Sequence, residues 1–146
     1  MGLETRNTDE HGPDGCVVCE IVAGREPVAL IEKDDQKGVI AFMSKEGHPL
    51  VCPTKHGNTL GDELDAIFSF ARKLIPVVEA VYGVKGITLI ANIGEEADQD
   101  FEHFHLHLIP RSRGDRKIAT NLISDVKLDE RKVIAKNLRE ELKRPR

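Results

Sequence analysis

A chain of 146 residues is the size of one domain with one hydrophobic core. Its 21 Lys plus Arg against 25 Asp plus Glu leave a formal net charge of −4, which argues against a general binder of nucleic-acid backbones or anionic membranes. With 40% hydrophobic and 32% charged residues, no apolar run near the ~18 of a membrane span, and only three Cys, the chain reads as a soluble cytoplasmic protein rather than a disulfide scaffold.

Residues 1–15 carry few apolar side chains and several Gly and Pro, and read as a disordered tail ahead of a single domain over 16–146. The first compact segment, 16–24, reads as a turn or helical stub stopped by Gly24. Three strand-length apolar runs follow at 28–32, 39–43 and 50–52. The polar stretch 34–38 joins the first two as a hairpin. Leu60, Leu64, Ile67, Phe68, Ala71, Ile75, Val78 and Val81 recur at steps of three and four. They predict one long helix, kinked or split at Pro76, capped by Asn58 or Thr59 and ended by Gly83. Further strand-like runs span 87–93 and 101–109, and Val133, Ile134, Leu138 and Leu142 place a C-terminal helix over 129–143. The order predicts an α+β fold: a five-stranded, mainly antiparallel sheet with one long central helix and a C-terminal helix.

The informative segment is His103-Phe104-His105-Leu106-His107-Leu108-Ile109. In a strand, alternate side chains share a face. That puts three imidazoles in a row, about 7 Å apart, and leaves Phe104, Leu106 and Leu108 to pack inward. Three alternating His arise in roughly 1% of shuffled chains of this composition, so a merely solvated edge is the weaker reading. Imidazoles can act as nucleophile, acid or metal ligand near neutral pH.

This segment resembles the signature of the histidine triad (HIT) family of nucleotidyl hydrolases and transferases, His-φ-His-φ-His-φ-φ with φ hydrophobic, at all seven positions. The context is similar too: His48-Pro-Leu-Val-Cys-Pro-Thr-Lys-His56 before it, Asn92-Ile-Gly-Glu-Glu-Ala-Asp-Gln99 closer in, and Pro110-Arg111 after. The resemblance runs over about residues 16–111 and is of the zinc-containing bacterial or archaeal type. It implies reaction at the α-phosphate of a nucleoside phosphoramidate, adenylate or dinucleoside polyphosphate. His105 would attack phosphorus and carry the nucleotide until water releases it. His107 would bind phosphate oxygens or protonate the leaving group, from a cleft open to substrate. Asn92 and Gln99 match polar contacts to phosphate and ribose, although loop capping is the common role of such amides. His48 matches a family histidine near the active strand, and Phe42 and Ser44 are candidates for base and ribose contacts. A homodimer with joined sheets is also implied.

Cys16-x-x-Cys19 with His56 and His103 has the composition of a Cys2His2 zinc site. These four stand where a subset of the family holds structural zinc. A redox dithiol would need a βαβ setting that this stub lacks, and Cys52 reads as buried. The chain departs from the family in three places. Ser44-Lys45-Glu46-Gly47 replaces a longer loop with a ribose-contacting Asp, Asp98 stands where Gly is common, and Asp100 where Ser or Thr is common. Two other readings compete. One is a hydrolase with a catalytic metal on His103, His105 and His107, whose outer pair would sit roughly 13 Å apart. The other is a non-catalytic, zinc-stabilised nucleotide-binding module.

Overall fold

The computed structural model describes residues 8–9, 12–13, 15–58, 61–99, 102–115 and 125–145. The expected disordered segment 1–15 lies mostly outside them; within it, strand β1 (Thr8–Asp9) pairs antiparallel with β2 (Gly12–Pro13). Helix α1 (Val17–Val22) follows. Next come β3 (Leu30–Asp34), β4 (Val39–Met43), β5 (Pro49–Pro53), α2 (Asp62–Tyr82), β6 (Gly86–Ile90), β7 (Leu106–Arg111) and α3 (Leu128–Leu142). The larger sheet has the order β3-β4-β5-β7-β6, and every neighbouring pair is antiparallel. The fold is therefore α+β, as the periodicities predict.

The sheet is covered on both faces. One face packs Ala29, Ile31, Val39, Ala41, Met43, Val51, Leu106 and Leu108 against Ile67, Leu74 and Val78 of α2 and Ala135 and Leu138 of α3. Phe104 joins this core just ahead of β7. The other face packs Ile40, Phe42, Leu50 and Cys52 against Val18 and Ile21 of α1. Two-sided burial explains why β4 and β5 read as continuous apolar runs rather than alternating ones.

Several boundaries differ from expectation for identifiable reasons. β3 lies two residues later than 28–32, and its pairing with β4 carries a register irregularity between Leu30 and Glu32. Asn58 does not cap α2. Its side chain pairs with Gln99, and the cap position is Gly61, whose N–H donates to Glu63 Oε1 at 2.9 Å. α2 is one continuous helix through Pro76. Among the described residues of the run 101–109, strand begins at Leu106, and β7 extends through Pro110 to Arg111; Phe101 lies outside the described residues. Pro110 is tolerated because β5 meets β7 only at Leu50–His107 and Val51–Leu106, leaving Pro110 paired on the β6 side alone.

Candidate functional site

Only one of the three triad histidines lies in the strand. His107 sits in β7 between Leu50 of β5 and Ile90 of β6, and Leu50 in turn faces Phe42 of β4. These residues form one cross-strand row, so His107 projects on the α1 side, opposite Leu106 and Leu108. His103 and His105 precede the strand, and His103 makes an isolated bridge with Gly57. The expected row of three evenly spaced rings is therefore replaced by a pair and an outlier. The His105 and His107 ring centroids are 5.1 Å apart, whereas the His103 ring turns toward His56, 5.4 Å away.

His105 Nδ1 lies 2.7 Å from the His103 carbonyl oxygen. A carbonyl can only accept, so Nδ1 carries the proton and Nε2 is left with a lone pair. That is the tautomer a nucleophilic imidazole needs. His107 Nδ1 lies 2.9 Å from His48 Nε2, which assigns His48 a place beside the triad. Burial, with His48 and His105 alongside, pulls the His107 pKa down to about 3, so its ring is neutral at pH 7. The two rings are only 4% and 7% exposed. A cavity of about 280 Å³, lined by Val39, Ala66, Phe70, Lys73 and Arg139, lies on the α2/α3 side of the sheet, opposite the face from which His107 projects.

His48 is set by a tight turn. Ser44 N–H donates to the His48 carbonyl at 2.8 Å, and His48 N–H donates to Ser44 Oγ at 3.2 Å. Gly47 closes the turn at φ +96°, where a Cβ would stand 2.7 Å from Val126 Cγ2. The Tyr82 hydroxyl at the end of α2 donates to the Gly47 carbonyl at 2.8 Å, and Val126 N–H donates to the Lys45 carbonyl. Ser44 thus serves the turn that sets His48. Tyr82, the only Tyr in the chain, was not legible as a site residue because its hydroxyl acts through a carbonyl 35 positions away.

The two amides differ. Gln99 and Asn58 exchange side-chain hydrogen bonds at 2.8 Å each, and Gly94 N–H also donates to Gln99 Oε1 at 2.7 Å, so Gln99 organises the loop. Asn92 is half-buried in the segment leading into it. Asp98 is exposed and holds φ +60°, a conformation that Gly adopts freely and Asp tolerates better than most. Asp100 lies outside the described residues. Phe42 is 4% exposed and packs with Ile40, Leu50 and Cys52 as core, one strand removed from His107 through Leu50.

Cys16, Cys19, His56 and His103 bring their ligand atoms within 4.8 Å of one another. Cys16 Sγ and Cys19 Sγ each lie 3.5 Å from His103 Nδ1, and Cys19 Sγ lies 3.2 Å from His56 Nδ1. A tetrahedral ion with Zn–S near 2.3 Å and Zn–N near 2.05 Å separates S from N by about 3.5 Å, so this donor set fits such an ion. His103 Nε2 donates to the Pro53 carbonyl at 2.7 Å, leaving Nδ1 as the ligating nitrogen. Burial holds the His103 pKa near 4, against the Pro53 bond that raises it, which keeps the ring in its neutral, ligating form. Both His103 nitrogens are thereby committed away from His105 and His107, which removes the reading of one catalytic metal shared by the triad. Cys52 is fully buried; burial first, and then Cys16, pushes its thiol pKa well up, so it stays a neutral core group.

The HIT domain family model matches residues 33–114, more than half of the chain. An uncharacterized HIT-like protein of Methanocaldococcus jannaschii is 32% identical over 124 residues, covering 79% of this chain and 94% of its own. An adenosine 5'-monophosphoramidase of Saccharomyces cerevisiae is 31% identical over 101 residues, covering 66% of this chain and 62% of its own. A Zn-bound histidine triad family protein from Mycobacterium smegmatis superposes with a TM-score of 0.73 at 26% identity, over 88% of this chain and 93% of that one. Together with the triad and its geometry, these similarities show that the chain belongs to the HIT family.

Proposed function

We propose that this protein is a nucleotidyl hydrolase that cleaves at the α-phosphate of a nucleoside phosphoramidate, adenylate or dinucleoside polyphosphate, with His105 as nucleophile. The observation that carries the reading is the 2.7 Å bond from His105 Nδ1–H to the His103 carbonyl, which leaves Nε2 as the attacking atom. In the first step Nε2 forms a bond to phosphorus and the leaving group departs with its electron pair and takes up a proton. In the second, water forms a P–O bond, the P–N bond breaks, and the nucleoside monophosphate leaves while His105 recovers its lone pair.

His107 is neutral at rest, so its first role is hydrogen bonding rather than acid catalysis. With His48 Nε2–H donating to His107 Nδ1, His107 carries its own proton on Nε2, which can donate to a phosphate oxygen. An anionic substrate beside the ring would raise its depressed pKa and make it competent to protonate the leaving group. Ser44 acts by holding His48, Gln99 by shaping the loop with Asn92 nearby, and Phe42 by supporting the row that carries His107. The adenosine 5'-monophosphoramidase relative supports an adenylyl substrate.

Cys16, Cys19, His56 and His103 would hold zinc, which would supply a fixed link between α1 and the segment entering β7. The Zn-bound relative supports this. Thiolate ligands suit a reducing compartment, which is the basis for proposing a cytoplasmic protein; no described helix is long and apolar enough to cross a membrane. The outer edge of β6, with Leu89 and Ile93 exposed at 40% and 53%, is the edge we propose for a homodimer. Steady-state hydrolysis of an adenosine phosphoramidate by wild type and by His105→Ala tests the function. Loss of turnover in a folded His105→Ala supports it; equal rates overturn it. Nucleotide binding without turnover by the wild type would favour a non-catalytic binding module instead.

A further inference from the structure

Ala29 and Ile31, where the chain enters β3, belong to the core under α2 and α3. Strict alternation would send Lys33 to the same face and turn Glu32 and Asp34 away from it. The register irregularity between Leu30 and Glu32 reverses this. Glu32 pairs with Ala41 and Asp34 with Val39, both members of the α2/α3 core, and cross-strand partners share a face. Lys33 pairs instead with Ile40 of the α1 core, and its Nζ donates to the Val22 carbonyl at 3.1 Å. Two carboxylates are thereby turned into the wall of the cavity of about 280 Å³ on the α2/α3 side.

Cations reach the same cavity from three other elements: Lys37 from the turn after β3, Lys73 from α2, and Arg139 and Lys143 from α3. The Arg139 guanidinium is anchored at the irregularity itself, where Nη1 donates to the Leu30 carbonyl. Neighbouring charges of opposite sign would ordinarily close on one another. Among the described residues, none of these four cations forms an ion pair with Glu32 or Asp34. Asp34 Oδ1 accepts from the Lys37 backbone N–H at 3.0 Å, within the turn, while the Glu32 carboxylate has no partner. The charges therefore surround a space rather than fill it, over apolar support from Phe70 and Leu142.

Four cations against two carboxylates leave a formal +2, which a phosphate monoester carrying about −2 would neutralise. A bare anion would meet repulsion from Glu32. A ligand with hydroxyl groups would instead donate to it, since a carboxylate only accepts. We propose that this cavity is a second ligand site, for the phosphate monoester of a sugar or nucleoside. Lys73, Arg139 and Lys143 take the phosphate, Glu32 accepts from a sugar hydroxyl, and Phe70 supports the ring. The site lies across the sheet from His107 and does not depend on the reaction assigned to His105.

The experiment titrates the 15N-labelled full chain with ribose 5-phosphate, adenosine 5'-monophosphate and inorganic phosphate, following backbone amides by NMR. Both esters are expected to give saturable shifts at Ser69–Lys73 and Arg139–Lys143. The amides of Leu50 and His107 report separately any nucleotide bound at the triad. Lys73→Gln is expected to weaken ribose 5-phosphate binding about 10-fold, the loss of one charge-assisted hydrogen bond. Glu32→Gln is expected to weaken the esters while leaving inorganic phosphate as tight or tighter. Neither side chain bonds another group in the described fold, and circular dichroism checks that both variants keep it. Tighter binding of adenosine 5'-monophosphate than of ribose 5-phosphate assigns a nucleoside ester; equal or weaker binding assigns a sugar phosphate. No saturable shift on α2 and α3 at about 10 mM ester, equal affinity for inorganic phosphate and ribose 5-phosphate, or an unchanged affinity in Lys73→Gln overturns the site.

Discussion

Replacing His107 by Asn should flatten the dependence of stability on pH. In the folded chain, burial and the neighbouring His48 and His105 depress the His107 pKa from an ordinary 6.5 to about 3. Below pH 6.5 the unfolded chain takes up a proton on this ring that the folded chain refuses. The stability this group contributes is therefore complete above about 6.5 and is lost as pH falls toward 3. Each pH unit costs about 1.4 kcal/mol for one proton, so between pH 7.5 and 5 the loss is about 2 kcal/mol. For a chain of this length that amounts to a fall in Tm of about 4–8 °C. Asn can still bond His48 at 2.9 Å reach, but it does not titrate. Urea or thermal unfolding of zinc-saturated wild type and His107→Asn at several pH values isolates the effect, since acid loss of the metal ligands is common to both. Parallel curves for the two proteins would refute the burial argument.

Cys16→Ser should lower zinc content and Tm together, because one of four donors to a chain-crossing ligand set is removed; metal analysis of protein purified without chelators checks it, and zinc-free wild type of unchanged stability would contradict it. Gly47→Ala should destabilise by about 2 kcal/mol, since its φ of +96° and a Cβ 2.7 Å from Val126 Cγ2 combine strain with a clash. Denaturant unfolding measures this, and a neutral effect would refute the clamp on the His48 turn. Tyr82→Phe should cost about 1 kcal/mol by leaving the Gly47 carbonyl without its donor, and should also slow turnover through His48; an unchanged rate would confine Tyr82 to stability.

The elements that could be read were those whose periodicity is imposed by packing. Ile67, Ala71, Leu74 and Val78 line one stripe of α2 because one sheet face must be covered, and the same need makes Phe104, Leu106 and Leu108 alternate. The triad spacing singled out the candidate residues but implied the wrong geometry. Alternation at 103–107 suggests strand, yet His103 and His105 leave the ladder because one ring belongs to the cysteines and the other bonds a carbonyl. His48 meeting His107, Gln99 meeting Asn58 and Tyr82 meeting Gly47 are contacts between segments 35 to 59 residues apart. Nothing local in the chain encodes such pairs. The four candidate metal ligands were legible only jointly, since Cys-x-x-Cys alone does not choose between a metal and a redox pair.

The most direct measurement mixes wild type for milliseconds with an adenosine phosphoramidate, quenches, and determines intact and peptide masses under conditions that preserve phosphoramidate bonds. We expect the mass of one nucleotidyl group, localised to His105 and absent from His105→Asn. Turnover with no such adduct at any quench time, or an adduct on a different residue, would contradict attack by this imidazole.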